Sequence, residues 1–258
     1  MPRVSPHAII DPAAEIAADA VIGPFSYVGP GVRIEAGCVI DNNVTVVGRT
    51  TLGRGTRVFP LAVIGSAGAD GQVGGPCFLG EGNSIREHVT ICGGVDRPTR
   101  IGNHNLIMIA CQIGAGATVG NFGIFDNCTH LGDRAVVEDY VRMSGFASVA
   151  ADVRVGAYSF VAGYAGVEHD APPFAMLQGY PVRVRGVNSR NLKACGFSEE
   201  DIHALKSAFR ELFGSRGTGV NARALARIEA GKKATVHVGK LLAALRAGAG
   251  EAQRSPDA

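Results

Sequence analysis

The chain has 258 residues, a net charge of +2 and 19% charged residues. That length suits one elongated domain with a small second one, and the balance is not basic enough for composition to argue for a nucleic-acid partner. The repeat described below starts almost at once in MPRVSPHAII, and no 18-residue apolar run occurs, so neither a signal peptide nor a transmembrane segment is expected.

From Val4 the chain carries an aliphatic residue at every sixth position: Ile10, Ile16, Ile22, Val28, Ile34, Ile40, Val46, Leu52, Val58 and Ile64. The register resumes at Leu79, Ile85 and Ile91, and again from Ile101 to Val167. A helix repeats near 3.6 and a strand at 2, so neither accounts for a period of six. A hexapeptide period is the signature of a parallel β-helix. The residue four places after each aliphatic is small or β-branched, as at Ala20, Ser26, Cys38 and Thr50, and Gly, Asp, Asn and Glu crowd the bends between. Each hexad is one short strand and one bend, and three hexads close a triangular coil of 18 residues. The ladder predicts about eight to nine coils, stacked at strand spacing with the aliphatics in inward columns such as Val4, Ile22, Ile40 and Val58. The ladder itself performs no chemistry.

Two interruptions break the register. Residues 66–78, SAGADGQVGGPCF, read as a Gly-rich loop thrown out from the prism, and residues 95–100, VDRPTR, as a shorter excursion. Loops on a rigid scaffold commonly carry function. The ladder stops before Pro172-Pro173. An extended segment, PPFAMLQGYPVRVRGVN, follows. From Phe197 the period turns helical, with Ser198 and Asp201 as a capping box and Ile202, Leu205, Phe209 and Leu212 on one face. Further helices are expected at about 221–230 and 235–247. The domain reading is therefore 1–170 β-helix, 171–190 extended linker, 191–250 helical domain and 251–258 disordered tail. The six cysteines, at 38, 77, 92, 111, 128 and 195, show no CxxC spacing and read as free thiols of a cytoplasmic protein.

Several longer strings resemble one known family, the acyl-ACP–UDP-N-acetylglucosamine O-acyltransferases of lipid A synthesis. IGPFSYVGPGVRI at 22–34, NSIREHVTI at 83–91, GNHNLIMIACQIGAGATVGN at 102–121, DAPPFAMLQGYPVRVRGVN at 170–188 and LKACGFS at 192–198 carry the resemblance, which covers nearly the whole chain. It implies an all-β left-handed parallel β-helix followed by a small α-helical C-terminal domain. It also implies a homotrimer with active sites in clefts between prisms. The implied partners are acyl carrier protein and a nucleotide sugar. No cofactor or metal is called for, since no two His pair within one coil as a zinc site would need.

The family's site takes its base from a His followed by Asp, because a sugar hydroxyl is barely acidic at neutral pH. Here Ala115 and Gly116 stand at those two positions, and Gln112 stands at another cleft His. Cys92, Arg134 and Ala150 also fall on family His positions. Gln72 replaces the loop Lys, and Ala194 and Cys195 replace two Arg at the nucleotide end. By resemblance Asp70, Gly163, Gln178 and Asn188 remain, and these four together with the replaced position Gln112 are the expected substrate-binding residues. His130 lies 18 residues after Gln112 and so one coil above it. It is the candidate substitute base, with Asp126 or Asp133 nearby; a surface His on a turn is the plain alternative. Function stays open between three readings. One is a divergent acyltransferase with an altered site, one a catalytically inactive homologue with a binding, regulatory or structural role, and one a transferase with a different acceptor.

Overall fold

A computed structural model describes residues 1–67, 74–214, 217, 219–231 and 235–252. The hexads form a parallel β-solenoid with three faces. The first face starts with strand Arg3–Val4, the second with Ile9–Ile10 and the third with Glu15–Ile16, and each face continues by parallel pairing to the strand one coil along. The faces contain 11, 9 and 8 strands. The expected inward column is present: Val4 pairs with Ile22, Ile22 with Ile40 and Ile40 with Val58. It continues through Ile85 and Ile107 to Phe125, all of them fully buried. Phe125 is the bulkiest side chain of the column, and Gly123 makes room for it: a Cβ there would lie 2.7 Å from the ring.

From Phe25 onward most bends use one residue in the left-handed region, and many of these are not glycine. At the corner between third and first faces His104, Phe122, Tyr140 and Tyr158 have φ near +57° and stack ring on ring, with centroids 5.2, 4.9 and 4.9 Å apart. The conformation costs roughly 1–2 kcal/mol per residue. Stacking contributes about 0.5–1.5 kcal/mol per pair and offsets much of it. Inside the same corner Asn83 and Asn105 form a buried ladder. Asn83 Oδ1 accepts from the Asn105 amide at 2.9 Å, and Asn105 Oδ1 from the Gly123 amide at 2.7 Å.

Both interruptions leave from one corner, between the second and third faces. The first runs out from strand Val63–Ser66 and returns at Cys77–Leu79; the second leaves after Thr90–Cys92 and returns at Thr99–Ile101. Thr99 and Arg100, read from the sequence as part of the second excursion, belong to the returning strand. The segment expected as a linker is a hairpin: Ala175–Gln178 adds to the first face by pairing with Phe160–Val161, and Arg183–Val187 pairs antiparallel with it. Helices follow at α1, Ser189–Ala194, α2, Glu199–Phe213, α3, Ala222–Ala230, and α4, Val236–Ala252. Ser198 caps α2, accepting from the Asp201 amide at 3.0 Å, and Ile202, Leu205, Phe209 and Leu212 are buried as the period required. Residues 253–258, most of the expected tail, lie outside the described residues.

Candidate functional site

His130 begins the strand His130–Leu131 on the second face and points outward, because its neighbour Leu131 fills the inward position. Register pairs it with Gln112 below and Ser148 above. Its Nδ1 lies 3.2 Å from Gln112 Oε1. With that oxygen accepting, the proton sits on Nδ1 and Nε2 keeps its lone pair toward solvent, the arrangement a general base needs. The sequence offered Asp126 or Asp133 as the orienting partner; the structure gives Gln112 instead. One oxygen of Asp133 is engaged with the Ala115 amide at 2.8 Å.

The corner one turn on is tied down by backbone. Gly116 is buried with φ +69°. Its amide donates to Thr99 Oγ1 at 2.8 Å and its carbonyl accepts from Arg97 Nε at 2.7 Å. Arg97 reaches further to the Arg134 carbonyl, and Arg134 makes a two-pronged pair with Asp152 at 2.7 and 2.6 Å. That pair holds the Asp152 carboxyl below the usual carboxylate range. No side chain of Ala115 or Gly116 can take a proton. Cys92 sits half-buried with its sulfur 3.9 Å from Ser66 Oγ, and burial pushes its thiol up, so it is no thiolate nucleophile at neutral pH.

The other expected site residues separate. Gly163 and Gln178 are exposed and come together at the top coil, where Val161 pairs with Leu177 and the Ala162 amide donates to the Leu177 carbonyl at 2.9 Å. Asn188 is buried; its side-chain amide donates to the Tyr158 carbonyl at 2.9 Å and helps seat α1 on the last coil. Asp70 and Gln72 lie outside the described residues. Sequence reasoning missed Arg97 and Thr99, whose roles depend on where the second excursion folds back. Of the cysteines, Cys38, Cys77 and Cys111 are buried inside the prism, and burial raises the Cys77 thiol to about 12. Among the described residues no helix is long and apolar enough to cross a membrane.

A stack of hexapeptide coils capped by a helical unit defines a hexapeptide transferase. Residues 13–48 match the bacterial transferase hexapeptide family, and residues 170–255 match UDP N-acetylglucosamine O-acyltransferase, domain 2. The acyl-[acyl-carrier-protein]–UDP-N-acetylglucosamine O-acyltransferase of Stenotrophomonas maltophilia is 38% identical over 219 residues, 82% of this chain and 83% of that protein. The enzyme of that name from Stutzerimonas stutzeri is 36% identical over 219 residues, 83% of this chain and 85% of its own. The solved UDP-N-acetylglucosamine acyltransferase of Bacteroides fragilis superposes with a TM-score of 0.87 at 28% identity, covering 94% of this chain and 96% of that one. The Moraxella catarrhalis UDP-N-acetylglucosamine O-acyltransferase gives 0.87 at 29% identity with the same coverage. The chain belongs to the acyl-[acyl-carrier-protein]–UDP-N-acetylglucosamine O-acyltransferase family.

Proposed function

We propose that this protein transfers a (3-hydroxy)acyl chain from acyl carrier protein to a hydroxyl of a UDP-N-acetylglucosamine-like sugar, in a lipid A-type pathway, with His130 as its base. The observation that carries the reading is the Gln112–His130 contact, which leaves Nε2 free on the outer face. In the reaction the sugar oxygen attacks the thioester carbonyl while Nε2 takes its proton. The carbon–sulfur bond then breaks and the carrier thiol leaves with a proton returned from the imidazolium. Gln112 orients the ring, and Gly163 with Gln178 borders the acyl and sugar path by family position.

The active assembly is a homotrimer. Its support is exposed apolar side chains at the corner between first and second faces, Phe25 and Leu61 in the lower coils and the stacked pair Phe146 and Tyr164 in the upper ones. Exposed apolar groups of this size favour burial against a second copy. Residues of the second face, His130 included, then line the cleft between prisms. Six free thiols support a reducing, cytoplasmic compartment. Ala115, which stands at the family's base position and has no group that takes a proton, favours the second reading, a catalytically inactive binding or regulatory homologue. Incubation of the purified protein with 3-hydroxyacyl carrier protein and UDP-N-acetylglucosamine decides between them: sustained product formation supports the enzyme, and none supports the homologue.

A further inference from the structure

We propose that Tyr180 is a preformed stacking platform for the planar base of the acceptor nucleotide. The proposal deepens the acyltransferase reading and rests on it for the position of the sugar.

The ring stands at the turn of the hairpin formed by Ala175–Gln178 and Arg183–Val187 and is 74% exposed. It is nonetheless held. A Cβ placed on Gly166 would meet ring atoms Cδ2 and Cε2 at 2.8 and 3.1 Å, so the bare backbone of Gly166 is the seat of the ring. The Glu168 carboxylate beside it holds the Tyr180 phenol above its usual range. The seat on Gly166 holds one side of the ring while most of its surface stays open. An aromatic fixed in this way loses little side-chain entropy when a flat ligand stacks on it.

Its place on the second face gives the platform a partner. Gly166 pairs with Ser148, and Ser148 pairs with His130. The seat is therefore two strand spacings, roughly 10 Å, from the base. A nucleoside diphosphate sugar is an elongated molecule with the reacting hydroxyl at one end and a planar base at the other, and its diphosphate bridges such a gap. With the hydroxyl at His130 Nε2, the base comes to the ring of Tyr180. Stacking on an aromatic face tolerates any planar base and needs no charged group.

The chain contains no Trp, so Tyr180→Trp introduces a single indole reporter. Titration with UDP-N-acetylglucosamine or UMP is expected to give saturable quenching, and N-acetylglucosamine alone is expected to give none. Equilibrium dialysis of labelled UDP-N-acetylglucosamine against Tyr180→Ala and Tyr180→Phe supplies the second arm. The Ala variant is expected to bind about tenfold or more weakly and the Phe variant nearly as parent. Quenching by the sugar alone overturns the proposal. So does an emission change that follows protein concentration instead of ligand, which would place the ring between copies, or equal nucleotide binding by the parent and Ala proteins. Neither arm requires turnover. Nucleotide quenching without catalysis keeps the platform and removes His130 as base, whereas catalysis with an unchanged acceptor KM in Tyr180→Ala does the reverse.

Discussion

Gly116 explains in atomic terms why the family's dyad cannot simply be written back into this chain. A Cβ at that position would lie 3.0 Å from Arg97 Cγ and 3.3 Å from Arg134 Cγ, on a backbone held at φ +69°. Any side chain there pays the left-handed penalty and must push two guanidinium stems aside. Gly116→Asp is expected to destabilise the protein by about 1–2 kcal/mol, read as a lowered melting temperature. Ala115→His alone leaves that backbone untouched and is expected to melt within a degree or two of the parent. The Arg134–Asp152 pair above the glycine has a pH signature of its own. The Asp152 carboxyl titrates below its unfolded range, so the pair's small contribution is present above the unfolded carboxylate range. It is lost as the pH falls through the lowered folded value.

At the scale of elements, how much could be read beforehand depended on whether a signal was periodic. The inward aliphatics and the Ser198 cap are local patterns, and the structure has both. The aromatic corner was not legible. Phe122, Tyr140 and Tyr158 sit at bends where Gly, Asn or Asp is the usual choice, and only the 18-residue stacking of coils makes their rings neighbours. The Asn83–Asn105 ladder was hidden because the second excursion puts 22 positions, not 18, between its members. That ladder predicts a measurable cost. Asn105→Val leaves the Gly123 amide without its acceptor and the Gly120 carbonyl without its side-chain donor inside the prism. The loss is expected at about 1–3 kcal/mol for each group left unpaired, measured as a shift in the urea midpoint with an unchanged slope. In the candidate site the same rule held. The His130–Gln112 neighbourhood followed from the coil length, but the Arg97 and Thr99 contacts depend on the path of an excursion with no period. The hairpin at 175–187 was missed because Pro172-Pro173 read as the end of the ladder, although Ala175–Gln178 follows them and pairs with Phe160–Val161.

On the scale of the whole molecule, one prism is an incomplete enzyme in this account. The second face carries His130 outward, and the adjoining corner exposes Phe146 and Tyr164, stacked on each other at 5.1 Å with nothing of the described chain over them. Phe146→Asp is expected to convert a trimer, three times the 26.7 kDa chain mass, into monomers by sedimentation while the coil stack stays folded. A parent protein that sediments as a monomer would remove the shared cleft. The proposed function stands or falls on His130, one coil above Gln112, serving as the base in place of Ala115. Its most direct test is steady-state turnover of 3-hydroxyacyl carrier protein and UDP-N-acetylglucosamine by the parent and by His130→Ala. Turnover by the parent is expected, with a fall in kcat of about 10²–10⁴ in the variant and an unchanged melting temperature because the side chain is exposed. Full activity in His130→Ala, or no turnover by the parent, would contradict it.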